Sequence, residues 1–168
     1  IQNGTSLTEI TQKVSKIWNI NSKILPMSNH SVKTIIESDI GTLSFQEYFV
    51  KKKCTPKVES IIFKNKKAKT SQTVLDEMND KNLTAIVFAP SNPYLSIDPI
   101  LSLSKIKTFL HTSSTPVIAV SPVVDGQAIK GPTTKIMTEL GLKPSAVTIA
   151  KHYDGLIDGL ILDVLDQS

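Results

Sequence analysis

The sequence is poor in several things, and each scarcity narrows its class. It has one cysteine, Cys54, so an intramolecular disulfide is excluded and a reducing cytosol is the expected compartment. Aromatic residues make up 5% of the chain, too few to build a surface for stacking bases. The formal charge is only +4, mostly from Lys51–Lys53 and Lys64–Lys69. That excess suits a small anion such as a nucleotide and is too local to argue for nucleic acid. No apolar run approaches the roughly 18–20 residues that a membrane span needs. No secretory signal is visible, but Ile1 is not a natural start, so a lost leader stays open. There is no P-loop Lys-Ser/Thr pattern and no zinc-site spacing.

What remains is ordinary globular material: 168 residues, 40% hydrophobic and 20% charged, enough for one domain with a sizeable core. The stretch Thr84–Pro132 organises it. Twice, a short run rich in Val, Ile and Ala stops near a Pro and opens into a polar loop, and twice a helical pattern follows. Such runs fit strands buried on both faces. Successive strand-loop-helix units predict a parallel sheet with crossover helices. Ligands of such sheets sit beyond the carboxyl ends of the strands, which points to Pro90–Pro99 and Ser121–Lys130.

The rest of the chain fills in around this. Gly4–Ile20 reads as an amphipathic helix with a Ser6/Glu9 capping box and an apolar stripe of Leu7, Ile10, Val14, Ile17 and Trp18. Val32–Glu37 and Val58–Lys64 read as strands, with a turn at Asp39–Gly41. Phe45–Lys53 is ambiguous; Phe45, Phe49 and Val50 fit one helix face with Tyr48 beside them. Ser71 or Thr73 caps a helix reaching about Asn79. Asp98-Pro99 reads as a capping carboxylate followed by Pro at the first helical position. Ser104–His111 completes that crossover. Pro132 opens a helix through Ile136, Met137 and Leu140 that Gly141 ends. Ser145–Tyr153 is helical, and Gly159–Asp163 reads as a third buried strand. No linker or repeat divides residues 1–168.

Six pieces in order carry a resemblance. They are GTSLTEIT at Gly4–Thr11, ILPMSN at Ile24–Asn29, FQEYFVKKKC at Phe45–Cys54, PSNPYLSIDPIL at Pro90–Leu101, AVSPVVDGQAIKGP at Ala119–Pro132 and AKHYDGLIDG at Ala150–Gly159. Together they resemble the 2-phospho-L-lactate transferase (CofD) family of coenzyme F-420 biosynthesis. The resemblance implies a phospholactyl-type (or phosphoenolpyruvyl) group moving from a guanosine diphosphate-linked donor to the deazaflavin Fo, with Mg²⁺ and release of GMP. It also implies that the chain is a piece of a larger domain. The family's glycine-rich first turn and acidic loops would precede Ile1, and a last strand and helix would follow Ser168. Catalytic residues and metal ligands are then expected upstream.

Phosphoryl transfer asks a protein for positioning and charge neutralisation. Ser91, Asn92 and Pro93 stand at the end of the first strand, where Ser and Asn offer donors and acceptors. On residue pattern alone they read first as a plain Asn-Pro turn. The family context favours nucleotide contact and adds Ser96. Ser121 begins the second loop, and Lys130 with Gly131 ends it, placing an ammonium for a phosphate or simply in solvent.

Further candidates each have a plain alternative. Asn29 and His30 occupy a place where the family usually shows an Asp pair, and Asn is a poor metal ligand by comparison. Asp125 stands where the family usually shows Gly; it either opposes a phosphate or helps hold the metal. Lys53 ends a basic run, as a collar for phosphates or a solvated face, with Tyr48 or Phe49 lining an aromatic pocket. His152 is a general base or a half-buried residue at a helix end. Cys54 is not read as a nucleophile.

The expected fold is therefore α/β, a mostly parallel Rossmann-like three-layer sheet with an antiparallel insertion around Val32–Lys64. The expected partners are the donor and Fo, without nucleic acid or membrane, in a cytoplasmic protein, with a homodimer left open. A second reading, from another class, is a nucleotide-sugar-binding regulator of the same superfamily (the YvcK type). Asn29, His30 and Asp125 favour it.

Overall fold

The computed structural model describes residues 4–65 and 67–167. Its centre is a parallel sheet of three short strands, β4 (Ile86–Phe88), β5 (Val117–Val120) and β8 (Gly159–Ile161), in the order β4-β5-β8. Each neighbour pair is joined by a helical crossover. Between β4 and β5 run α3 (Asp98–Leu101) and α4 (Ser104–Thr112); between β5 and β8 run α5 (Thr133–Glu139) and α6 (Ala146–His152). Crossovers of the same hand leading the same way across a sheet put their helices on the same face. That face is the core: Phe88, Val117 and Ala119 pack under Ile106, Leu110, Ile136, Met137 and Ile149.

The parallel αβ core and its antiparallel insertion are as the sequence predicts. The insertion is a three-stranded sheet, β2-β1-β3, built from β1 (Lys33–Ser38), β2 (Gly41–Ser44) and β3 (Val58–Lys64). It is tied to the core through α5. The Glu139 carboxylate accepts from the Val58 N–H at 3.0 Å, and the Lys135 ammonium donates to the Pro56 carbonyl at 2.8 Å. At the start, α1 (Leu7–Ile17) has the expected capping box: the Glu9 N–H donates to Ser6 Oγ at 3.2 Å, and the Ser6 N–H donates to Glu9 Oε2 at 2.7 Å.

Four expectations are corrected. The strands are not buried on both faces: Val87 is 61% exposed and Ile161 56%, because among the described residues β4 and β8 are the sheet's edges and helices cover one face. The apolar stripe of α1 is also open, with Ile17 and Trp18 mostly exposed. In Phe45–Lys53 the buried side chain is Tyr48, whereas Phe49 and Val50 face solvent. A π-helical turn at Glu47–Lys51 adds a residue per turn there, which rotates the face that an α-helical spacing would assign. Finally, Asp98 does not cap a helix. The helix begins earlier, as a π-helical turn over Pro93–Ile97 with Asn92 as its cap.

Ser71 does precede α2 (Gln72–Met78), but its hydroxyl makes no cap bond; it donates to the Pro26 carbonyl at 2.9 Å and fastens the extended segment before β1.

Candidate functional site

Parallel strands end together, so the loops after β4 and β5 leave the sheet at the same edge. In the first loop the Ser91 N–H donates to the Ala89 carbonyl at 2.6 Å, turning the chain sharply off the strand. Asn92 then caps the π-helical turn, its Oδ1 accepting from the Leu95 N–H at 3.0 Å. Pro93 fits the first helical position because its missing N–H would have had no partner there. Pro93, Tyr94, Leu95 and Ile97 are buried, which leaves Ser96 as the turn's outward residue. Asn92 Nδ2 is buried without a hydrogen-bond partner, an unusual cost for an amide beside a loop of this kind.

Ser96 borders two adjoining hollows. One, of about 550 Å³, runs along β4 and is walled by Leu25, Met78, Phe88 and Phe109, with Ser91 at its rim. The other, of about 380 Å³, lies against the insertion and is lined by Thr34, Phe45, Gln46, Leu95 and Pro99. Phe45 lines this hollow and stacks on Phe49 with ring centres 5.3 Å apart, while Phe49 itself is 41% exposed and lies outside the hollow's lining. Tyr48 is not part of it. It is fully buried, with its hydroxyl unpartnered and the Lys135 ammonium 5.9 Å above its ring.

The second loop is a hairpin of β6 (Val123–Val124) and β7 (Gln127–Ala128). Asp125 and Gly126 form its two-residue turn with φ of +48° and +69°, the left-handed pair that such hairpins require and that Asp-Gly supplies readily. This accounts for Asp125 without a phosphate or a metal. The Ile129 N–H donates to the Pro122 carbonyl at 3.1 Å, which returns the chain to the end of β5 and sets Lys130 and Gly131, both exposed, beside it. Ser121 starts the loop but is 4% exposed. Its hydroxyl donates to the Val123 carbonyl at 2.8 Å and accepts from the Val123 N–H, so it belongs to the turn and not to an open surface.

Other predicted residues lie elsewhere. Asn29 Oδ1 accepts from both the N–H and the hydroxyl of Thr8, each at 2.9 Å, and so joins the first turn of α1 to the loop before β1. His30 is exposed on that loop. Lys53 is exposed with φ +49°, followed by Cys54 at +58°. Burial pushes the Cys54 thiol up, away from nucleophilic thiolate.

His152 has a specific partner. Its Nε2 lies 2.8 Å from Asp98 Oδ1, and its ring meets Tyr94 and Tyr153 edge-on at 4.9 and 5.1 Å. Burial, with the nearby Asp98 charge adding, pushes the Tyr94 phenol up to about 12. Sequence reasoning did not find this cluster. Asp98 and His152 are 54 residues apart, and Asp98 next to Pro99 imitates a helix start.

Among the described residues, no group of three or more His, Cys, Asp or Glu could hold a metal ion. With Asn29 engaged by Thr8 and Asp125 in a turn, these residues do not fit an Mg²⁺ site. Among the same residues no helix is long and apolar enough to cross a membrane.

The family model described as 2-phospho-L-lactate transferase CofD matches residues 1–167. A 2-phospho-L-lactate transferase of Methanosarcina barkeri is 36% identical over 170 residues, covering 100% of this chain and 53% of that protein. One from Methanococcus maripaludis is also 36% identical, over 99% of this chain and 54% of that protein. A phosphoenolpyruvate transferase of Streptomyces griseus is 30% identical, over 97% and 52%. The chain thus spans about half the length of the curated relatives it matches. A solved Bacillus halodurans protein of the UPF0052 family shares the fold, with a TM-score of 0.56 at 19% identity over 90% of this chain and 46% of that one. With its family model matched from end to end of the described core, the chain belongs to the 2-phospho-L-lactate transferase (CofD) family.

Proposed function

We propose that the whole protein transfers a 2-phospholactyl or phosphoenolpyruvyl group from a guanosine diphosphate-linked donor to the deazaflavin Fo, releasing GMP. The observation that carries this reading is the shared sheet edge. The loop bearing Ser91 and Asn92 and the loop returning Lys130 and Gly131 both leave it, on neighbouring strands. The donor's diphosphate meets Lys130 and the first loop's amide groups, and Asn92 Nδ2 turns outward to a phosphate oxygen. The flat deazaflavin lies against Phe45 in the adjoining hollow, with Ser96 at its border. Lys53 adds long-range attraction for the anionic donor, and His152 acts through Asp98 on the first loop.

All 19 basic residues are lysines, so phosphate recognition here rests on point charges and amides, not on bidentate guanidinium pairs. Mg²⁺ belongs to the proposal for the whole protein. So does a cytoplasmic setting, supported by the single Cys54, and a homodimer, supported by the uncovered Ile17 at the end of α1 and Trp18 just after it. The test is reconstitution of the full-length protein with donor, Fo and Mg²⁺. Formation of GMP with the phospholactylated deazaflavin is expected; no GMP under conditions where the protein is folded would end the assignment.

The second reading, a nucleotide-sugar-binding regulator, is favoured by Asn29, whose amide is committed to Thr8 where the family usually shows acidic residues. Tight binding of UDP-sugars with indifference to GDP and Fo would select it.

A further inference from the structure

α5 stands between the two halves of the proposed site. One face of it, Thr133, Ile136 and Met137, is fully buried. Its first residue follows Lys130-Gly131-Pro132 without a break, and the Ile136 N–H donates to the Pro132 carbonyl at 2.9 Å. The loop bearing Lys130 is therefore carried by a helix anchored in the core.

Another face of α5 holds Lys135 and Glu139, one turn apart and ion-paired at 2.5 Å. Both also reach the antiparallel insertion. Lys135 Nζ donates to the Pro56 carbonyl at 2.8 Å and lies 5.9 Å from the centre of the Tyr48 ring. Glu139 Oε2 accepts from the Val58 N–H at 3.0 Å. One ammonium thus touches both ends of the segment from Tyr48 to Pro56. That segment folds back on itself: the Cys54 N–H donates to the Tyr48 carbonyl at 2.9 Å, and Lys53 and Cys54 stand in succession at φ +49° and +58°. Two adjacent left-handed residues that are not glycine persist only where their surroundings hold them. The bonds to Pro56 and Val58, just past this reversal, do so.

The same segment leads back to the acceptor's hollow. Phe45 and Gln46 line it. The Ser44 N–H and hydroxyl donate to Glu47 Oε2 at 2.9 and 2.7 Å, which fastens these two residues to the turn that carries Tyr48. An ion pair with one side chain 35% exposed adds little to stability by itself. Its two bonds to the insertion's backbone instead fix where the wall of the hollow lies relative to Lys130.

We propose that Lys135 and Glu139 are positioning residues: they set the distance between the acceptor hollow at Phe45 and the donor loop at Lys130 while touching neither substrate. This rests on the transferase reading above. Group transfer needs the two reacting atoms held roughly 3–3.5 Å apart, and a misplacement of about 1 Å costs on the order of 100-fold in rate. Each substrate still finds its own half of the site when the bridge is cut, so the loss falls on turnover and not on binding.

The test compares the full-length protein with Lys135→Met, Glu139→Ala and Glu139→Gln, in steady-state transfer and in calorimetric titration with GDP. Turnover is counted per GDP-binding site, so unfolded molecules do not enter. Lys135→Met keeps an apolar stem beside Tyr48 and removes the charge. It and Glu139→Ala are expected to lower kcat about tenfold or more, with GDP affinity and the KM for the deazaflavin within about twofold of wild type. Glu139→Gln keeps an oxygen for the Val58 N–H and is expected to recover most of the turnover that Glu139→Ala loses. Unchanged kcat per site in Lys135→Met and Glu139→Ala overturns the proposal. So does a loss confined to GDP affinity or KM, which would make these binding residues, and so do equal losses in Glu139→Gln and Glu139→Ala. A wild-type protein that binds GDP and transfers nothing is a different failure: it ends the transferase reading itself, and the positioning role falls with it.

Discussion

Asp98 Oδ1 and His152 Nε2 lie 2.8 Å apart, and each side chain is 23% exposed. The pair clamps the end of α6 to the residue that follows the π-helical turn, and so fixes the loop that carries Asn92. Partial exposure keeps its worth modest. Asp98→Ala and His152→Ala are each expected to cost about 1 kcal/mol. The double variant should cost much less than the sum, since each single change already removes the contact. Urea unfolding of the four proteins measures this; strict additivity would show that the two side chains do not act together.

The chain has three tyrosines, Tyr48, Tyr94 and Tyr153, and burial raises the phenol of every one above the ordinary value of 10.0. A phenol raised on folding leaves the unfolded chain as the better proton donor above pH 10. Stability is then fully present below that pH and is lost as pH climbs, for Tyr94 across the interval from 10 to about 12. Absorbance at 295 nm should show no tyrosinate forming near pH 10 in the folded protein. Ionisation should appear as one cooperative step coincident with loss of helical circular dichroism. A tyrosine titrating normally while the helices persist would contradict the burial of these rings.

How much of this was legible in the sequence depended on the range of the interaction. The capping box of Ser6 and Glu9, the strand Val58–Lys64, and the helix from Ser145 to Tyr153 rest on residues a few positions apart, and the structure has them where the pattern said. The parallel pairing of β4 and β5 followed from alternation of strands and helices. What was not legible depended on partners far along the chain. Asn29 looks like a failed metal ligand until Thr8 is seen on its oxygen. Asp98 looks like a cap until His152 is seen on its carboxylate. Tyr48 was misplaced for another reason: a π-helical turn breaks the 3.6-residue spacing on which face assignment rests. The bare side of the parallel sheet was invisible because apolar runs say that a strand wants cover, not whether these residues supply it.

Tyr48 gives a direct check on core against ligand wall. Its hydroxyl has no partner, so Tyr48→Phe is expected to leave stability unchanged or slightly raised. Tyr48→Ala removes a fully buried ring beside Val58 and Ile36 and should cost about 3–5 kcal/mol. Thermal unfolding separates the two. If Tyr48→Phe in the full-length protein spared stability and still abolished Fo binding, the hydroxyl would meet substrate after all.

The hairpin turn makes the opposite case for Asp125. Gly126 has φ +69°, so Gly126→Ala should cost about 1 kcal/mol from backbone strain alone. Asp125→Gly keeps the left-handed turn and should be close to neutral in unfolding experiments. It should also leave the Mg²⁺ dependence of the full-length protein unaltered. A changed metal requirement in Asp125→Gly would mean that this carboxylate does more than turn the chain.

Asn92 separates a structural role from a binding one within a single side chain. Its Oδ1 caps the π-helical turn through the Leu95 N–H, while its Nδ2 is left over. Asn92→Ala loses both and should cost about 1 kcal/mol, as the loss of a helix cap does. Asn92→Asp keeps the accepting oxygen and replaces the spare amide by a second oxygen carrying negative charge. Unfolding should therefore find the cap kept while the buried, unpartnered charge lowers stability. If the spare amide meets the donor's phosphate, the same variant repels it, and GDP affinity of the full-length protein should fall at least tenfold, about 1.4 kcal/mol. Calorimetric titration with GDP reads this directly. Undiminished binding by Asn92→Asp would confine Asn92 to capping and would leave Lys130 as the nearest residue to any phosphate at this edge.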